Sequence, residues 1–387
     1  MSASMHSLIS LLAYHAQLRP KAIALRHKKL GRWEQWTWHE LLKRSEKYAS
    51  ALDKLGLKKD QVFLICSSPN VDIVAISLAI QALGGKVQLF DQSFENSIKH
   101  DFVKYLAALK PDYILVEQLE WLVSIESLNC DPAYIFYLEQ NNLKQIQHEH
   151  IVDLTSLLAE NKTPLIDFNS INIPASQIAF SFEHFENNQR FSIDYSHQDL
   201  IQEAELLVQT HELNEDEEAF IARAFSSIGH IRYLWSAWLL AGFSLNIPET
   251  LQTRDQDRQV IAPTLVLGTK STYERVEQLI IQRLPQSGSW LRKAYYTVLL
   301  QAQQQLPLSL LQKILLGLFK RAILEELGFS RLKTALIVGE GLDEITQRFY
   351  ENLGVKVEYW GQQAEWNITQ LADFNHETAV ISVSLVQ

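Results

Sequence analysis

Three groups of residues in this 387-residue chain could do chemistry. His148-Glu149-His150 followed by Asp153 spaces a histidine and a carboxylate as a general base and its partner would be spaced for taking a proton from an alcohol or thiol. The group sits in a stretch rich in Gln, Asn, Glu and His, so a surface loop is the favoured reading. As a metal site the same trio has no further placed ligand. Glu183-His184 with Glu186 could pair as acid and base, but a carboxylate acquires that character through burial, and a solvated loop is again favoured. Finally, Gly229-His230 precedes an apolar helix carrying Trp235 and Trp238, where a histidine packs at a helix start as readily as it meets a ligand. No residue is assigned as catalytic, and no metal is expected.

Composition narrows the classes. Hydrophobic residues make up 47% and charged residues 21%, as in an ordinary globular protein of two to three packed units. Only 14 glycines occur, about half the usual ~7%, although loops that cradle phosphates normally use glycine for close backbone approach. The net charge of −10 supplies no basic stripe, so nucleic acid is not an expected partner. Cys66 and Cys130 lie far apart without zinc-like spacing, which suits a reducing compartment. No apolar run reaches the ~18–20 residues of a membrane span, and His6, His15 and Arg19 interrupt any signal-like start. A cytoplasmic location is expected, with peripheral membrane contact left open.

Strands and helices alternate along most of the chain. Helix Leu8 to Leu18, a hairpin turning at Lys28 to Gly31, and a helix capped by Thr37 with Glu40 open the sequence. Strand Val62 to Cys66, apolar helix Val71 to Leu83 and strand Val87 to Phe90 follow, then helix Ile98 to Leu109, strand Tyr113 to Val116, helix Leu119 to Ile125 and strand Tyr134 to Tyr137. A polar stretch from Glu139 to Thr163 suggests a boundary, giving units 1–165 and 166–387. The second unit begins with strands Ile178 to Phe182 and Phe191 to Tyr195 and a helix capped by Ser196, and ends near strand Lys356 to Tyr359. The expected fold class is α/β, with two doubly wound, mostly parallel sheets covered by helices. Leu308 to Leu327 is strongly apolar, with Leu311, Leu315, Leu318 and Ala322 in one stripe, and reads as a buried core helix. Its Lys313, Lys320 and Arg321 also admit a membrane-interface helix.

The order of these elements resembles the N-terminal region of the AMP-forming acyl-CoA synthetases, the superfamily of peptide-synthetase adenylation domains and luciferase. The long-chain fatty acyl-CoA synthetases are the nearest branch. The resemblance rests on Trp36-Thr37-Trp38, Leu55 to Val62, Ala79 to Gly85, Tyr195-Ser196-His197-Gln198-Asp199-Leu200, Gly229-His230-Ile231, Ala262-Pro263-Thr264 and Tyr273-Glu274-Arg275-Val276. It continues through Gly339-Glu340-Gly341-Leu342 and Trp360-Gly361-Gln362-Gln363-Ala364-Glu365. By resemblance, the histidine near position 230 borders an acyl pocket. The candidate ligand pocket is therefore His230, Trp235, Gly339, Gly341, Tyr359, Trp360, Gly361 and Glu365, where element ends converge outside the carboxyl ends of strands.

Departures from the family pattern set the functional expectation. The family's Ser/Thr/Gly phosphate loop is replaced by Ser181 to Arg190, which holds Glu183 and Asn187 and no glycine. The threonine of the AMP- and magnesium-binding pair is missing, and the family's ribose-binding Asp and catalytic Lys have no counterpart. The expectation is a non-catalytic, synthetase-like protein without cofactor that binds an acyl or lipid ligand, an acyl carrier protein or another protein, and homo-oligomers are admitted. The alternative is an AMP-forming fatty acyl-CoA or acyl-carrier-protein ligase using ATP and Mg and completed by a partner chain. The segment Thr378 to Val386 reads as a strand apolar on both faces, which must dock on its own sheet or on a partner.

Overall fold

The computed structural model describes residues 6–90, 109–117, 132–138, 150–160, 164–186, 189–283, 288–303, 306–361 and 380–385. In chain order the elements are α1 (Leu8–Leu18), β1 (Ile23–Lys29), β2 (Arg32–Thr37), α2 (Trp38–Lys54), β3 (Val62–Cys66), α3 (Val71–Ala82), β4 (Lys86–Phe90), β5 (Tyr113–Val116), β6 (Tyr134–Tyr137) and β7 (Ile151–Asp153). Next come α4 (Leu154–Glu160), β8 (Ile178–Glu186), β9 (Gln189–Ser196), α5 (His197–Thr210), β10 (Glu218–Phe220), a π-helical turn (His230–Trp235) running into α6 (Ser236–Ala241), and β11 (Ser244–Ile247). The remainder is α7 (Arg254–Ile261), β12 (Leu265–Gly268), α8 (Lys270–Arg283), α9 (Trp290–Gln303), α10 (Leu310–Leu327), β13 (Thr334–Ile337), α11 (Glu344–Leu353), β14 (Val357–Tyr359) and β15 (Val380–Leu385). The expected helices Ile98 to Leu109 and Leu119 to Ile125 fall, Leu109 apart, outside the described residues.

The chain forms two compact units. The first comprises Met1–Asp216, Ala222–Ile247 and Leu371–Gln387; the second comprises Glu217–Ile221 and Pro248–Gln370. This division differs from the 165/166 boundary suggested by the polar stretch, because β4 pairs in parallel with β8 across that point, Val87 facing Phe180 and Phe90 facing Glu183. Strand register, which polarity does not encode, holds both sides in one sheet.

In the first unit an eight-stranded mixed sheet runs β15-β9-β8-β4-β3-β5-β6-β7. It is parallel from β8 to β7 and antiparallel at β8–β9 and β9–β15. Helix α3 is apolar on every side, and all its residues except Asp72 are buried, as a helix inside a core must be. Asp72 accepts from Arg44 Nε at 2.6 Å and Tyr48 Oη at 2.5 Å, which ties α3 to α2. Strand β1 pairs in parallel with β11 and turns into β2 through Leu30 (φ 47°) and Gly31 (φ 75°), the positive-φ pair of a two-residue hairpin. Behind it Trp38 stacks on Trp238 at 5.2 Å, and His15 lies 4.7 Å from Trp38 with Nε2 on the Leu239 carbonyl at 2.9 Å. Burial, with Arg19 beside it, pushes the His15 pKa down to about 4.

In the second unit β10, β12, β13 and β14 are parallel neighbours in the order β14-β13-β12-β10. Tyr273, Val276 and Ile280 of α8, Ile323 and Leu327 of α10, and Tyr350 and Leu353 of α11 pack with Phe329 into one core. Helix α10 corrects the sequence expectation. Only Ile323 and Leu327, near its C-terminus, are buried, whereas Leu310, Leu311, Ile314 and Leu318 are exposed. An apolar stripe specifies that a helix side avoids water; it does not specify that this chain supplies the cover. Helix α7, polar in composition, carries no apolar periodicity and was not expected. It is held by Arg258, whose Nε donates to the Leu327 carbonyl at 2.8 Å and whose Nη1 meets Asp255 at 2.9 Å.

Candidate functional site

The described residues of the interval expected to be a degenerate phosphate loop lie in two paired antiparallel strands. Strands β8 and β9 pair without interruption from Phe180 facing Tyr195 to Glu186 facing Gln189, which leaves only Asn187 and Asn188 between the paired ends. Asn187 is outside the described residues, and Arg190 stands in the ladder opposite Phe185 and, on the other side, Ser384. Strand β15 runs along β9 from Asp194 to Gln189, so β9 has a neighbour on both edges over this stretch. The tail therefore docks on its own sheet.

The side chains agree with the ladder. Ser181 Oγ lies 3.4 Å from Ser192 Oγ, both residues buried. Glu183 is fully buried, and its Oε1 accepts from Gln88 Nε2 at 2.8 Å. The solvated-loop expectation for Glu183 is thus corrected. It belongs to a buried cross-strand pair with β4, a position that alternation within a strand creates and that a polar sequence window hides. His184 faces Phe191 in the backbone ladder. Phosphate sites need consecutive unpaired backbone amides, and the amides on β9 between Gln189 and Asp194 face a paired strand on either side. The residues present here do not fit a triphosphate.

The His/Asp pattern also resolves into structure. His148 is outside the described residues. His150 Nδ1 lies 3.1 Å from the Ala133 carbonyl. Asp153 Oδ1 accepts from Thr155 N at 2.9 Å and Thr155 Oγ1 at 2.6 Å, and Oδ2 accepts from Ser156 Oγ at 2.9 Å, so this carboxylate caps α4. Cys130 is outside the described residues, and burial pushes the Cys66 thiol up and keeps it from thiolate form. Among the described residues no group of three or more His, Cys, Asp or Glu could hold a metal.

The expected pocket residues fall into two groups. In the first unit His230 opens the π-helical turn, and its Nδ1 accepts from Arg223 N at 3.2 Å. Trp235 is fully buried, enclosed edge-on by Trp238 at 5.4 Å, Phe225 at 5.5 Å and Phe180 at 5.9 Å. Sequence reasoning missed Arg232 in the same turn. It donates to Glu203 Oε1 at 2.5 Å and lies over Tyr195 and Tyr233 at 5.3 and 5.2 Å. The available signal was a lone cation in an apolar run.

In the second unit Gly339, Gly341, Tyr359, Trp360 and Gly361 gather at the carboxyl ends of adjacent parallel strands. Ile337 faces Tyr359 in register, and Trp360 N donates to the Ile337 carbonyl at 2.8 Å. Beside them, after β12, Val338 N donates to the Gly268 carbonyl at 3.0 Å and Lys270 Nζ lies 3.4 Å from Glu340 Oε2. Glu365 is outside the described residues. The carboxyl ends of parallel strands are where open α/β sheets place ligands. Lys270 there could meet an anionic group, and the aromatic Tyr359 and Trp360 an apolar one.

The succession of parallel strands and covering helices is that of the N-terminal part of adenylate-forming ligases. Residues 12–164 match the AMP-binding enzyme family. A search of curated proteins returns no match. Among solved structures, this chain is similar to a long-chain-fatty-acid-CoA ligase from Archaeoglobus fulgidus (TM-score 0.66, 11% identity, 92% of this chain and 64% of that one). It is also similar to an acyl-CoA synthetase from Brucella canis (0.65, 14%, 92% and 57%). A third is an anthranilate CoA ligase solved with anthranoyl-AMP (0.65, 15%, 93% and 60%). At these identities the likeness establishes the fold. The chain spans about 57–64% of the length of these three ligases.

Proposed function

We propose that this chain is a non-catalytic member of the acyl-CoA synthetase-like proteins, one that keeps the α/β scaffold to bind an acyl or lipid ligand and does not activate an acid with ATP. The observation that carries this reading is the β8–β9 hairpin. Family enzymes use this interval as the phosphate loop, and here it is closed by a ladder to Glu186 and Gln189, flanked by β15, and stapled to β4 through Glu183 and Gln88. A partner chain could bring a missing lysine to the site, but it could not reopen a hairpin whose amides are paired inside the sheet. Tyr359, Trp360 and Lys270, placed near the carboxyl ends of the second unit's parallel strands, support an amphipathic acid as the retained ligand.

Isothermal titration and exchange kinetics test this together. The expected result is no heat with ATP and magnesium, no ATP–pyrophosphate exchange above a no-enzyme blank with fatty or aromatic acids, and saturable binding of at least one fatty acid. Exchange that exceeds the blank and disappears in Glu365→Ala would overturn it.

A further inference from the structure

Helix α10 carries an apolar side that the core of its own unit does not use. Helices α9 and α10 pack on each other, and α10 meets the core through Ile323 and Leu327, with Phe319 and Leu324 partly buried beside them. Nearer its start, Leu310, Leu311, Ile314 and Leu318 are exposed, by 76%, 78%, 53% and 61%. At 3.6 residues per turn, Ile323 lies on the side opposite Ile314; Leu310 and Leu318 stand about 40° to either side of Ile314, and Leu311 and Gly317 about 60° to either side. The stripe is symmetric about Ile314. Gly317 is its small member. Glycine inside a helix is unfavourable relative to alanine, yet apart from the helix's own backbone no described atom lies within 4 Å of where a Cβ would stand, so the described packing gives no reason for it.

That symmetry is what a second copy requires. In an antiparallel pair of α10 helices related by a two-fold axis at Ile314, Ile314 meets Ile314 of the second copy, each Leu311 meets the other copy's Leu318, and each Leu310 lies over the other copy's Gly317. Every contact is made twice. The area is of the right size. With Leu306 just ahead of the helix (48% exposed), these leucines and Ile314 present on the order of 400 Å² of apolar side chain, at ~120 Å² for each when fully exposed. One partner of a standard dimer contributes ~800 Å², of which roughly 500 Å² is apolar. Charge does not oppose the pairing. Lys313 and Lys320 stand about 100° and 120° from Ile314, off the contact, and on the stripe's own side Arg321 is neutralised by Glu325 at 2.9 Å. The stripe therefore carries no net charge that would draw it to an anionic surface in preference to another copy. No helix among the described residues is long and apolar enough to cross a membrane.

We propose that the protein self-associates through α10, as an antiparallel two-fold dimer centred on Ile314. Analytical ultracentrifugation of the full chain from about 1 to about 100 μM should show a monomer–dimer equilibrium. Ile314→Gln, and separately Leu311→Gln with Leu318→Gln, should each raise the dissociation constant at least about tenfold, because each substitution is met twice across the axis. Gly317→Leu should do the same by filling the space that Leu310 of the second copy needs. Its urea midpoint, read where the parent is monomeric, should not fall, since the site is open in the single chain and leucine favours helix over glycine. Ile345→Gln, at an exposed residue on α11, should change nothing, and unchanged circular dichroism confirms that the variants fold. Cysteine cross-linking reads the direction of pairing. Under oxidation Ile314→Cys should link two copies beyond the parent's background, and Ala322→Cys, about 24 Å from its counterpart, should not. A chain still monomeric at about 100 μM, or a dimer that these variants leave unchanged, would overturn the proposal. So would linking of Ala322→Cys in preference to Ile314→Cys, which would refute the antiparallel register. A monomer that binds lipid vesicles through Leu311 and Leu318 would overturn it as well and give the stripe to a membrane surface.

Discussion

Two histidines buried in the first unit should make it lose stability between pH 7 and pH 5. His15 is held neutral to about pH 4 and His197 to about pH 3, both chiefly by burial, against an ordinary value of 6.5. In the unfolded chain both protonate through the upper part of this window, and in the folded chain neither does. The unfolded state then binds more protons, so the contribution of each neutral histidine is complete above pH ~6.5 and is lost as pH falls toward the folded value. Integrating between pH 7 and 5 gives about 2 kcal/mol per histidine, or about 3–4 kcal/mol for the pair. The carboxylates with lowered pKa, such as Glu40 and Asp255, protonate below this window. Urea midpoints at pH 7, 6 and 5, followed by the emission of Trp38, Trp235 and Trp238 in the same unit, measure the loss. His15→Gln keeps a donor for the Leu239 carbonyl, and His197→Asn keeps an acceptor for Leu8 N. The double variant should lose less than about 1 kcal/mol over the same range. If it falls as steeply as the parent, the reasoning is refuted.

Two further outcomes follow from the packing. Gly242 has φ +76°, and a Cβ there would lie 2.4 Å from His15 Cε1 and 1.9 Å from Arg19 Nη2, so Gly242→Ala should cost about 2–3 kcal/mol in the same urea assay. A variant as stable as the parent would mean that α1 yields freely. Deleting residues 380–387 should uncover β9, and light scattering should then detect aggregates at micromolar concentration, because an unpaired edge recruits other chains. A monodisperse deletion variant would show that β15 is dispensable.

Much of the fold was legible in local patterns. Capping boxes at Thr37 with Glu40 and at Ser196 with Asp199, the all-apolar Val71 to Ala82 and the alternating tail are local devices, and a local device constrains its own few residues regardless of what surrounds them. The loss of glycine from Ser181 to Arg190 was equally visible. The long-range relations were not. That Glu183 is buried on Gln88, that Asp153 caps a helix, and that β15 lies along β9 all depend on register between segments distant in sequence, or on which orphan backbone group a side chain reaches. Helix α10 states the difference most plainly. Its leucines specify an apolar side, which periodicity alone determines; whether that side meets core or surroundings is decided by how far the neighbouring elements extend, and they cover only Ile323 and Leu327.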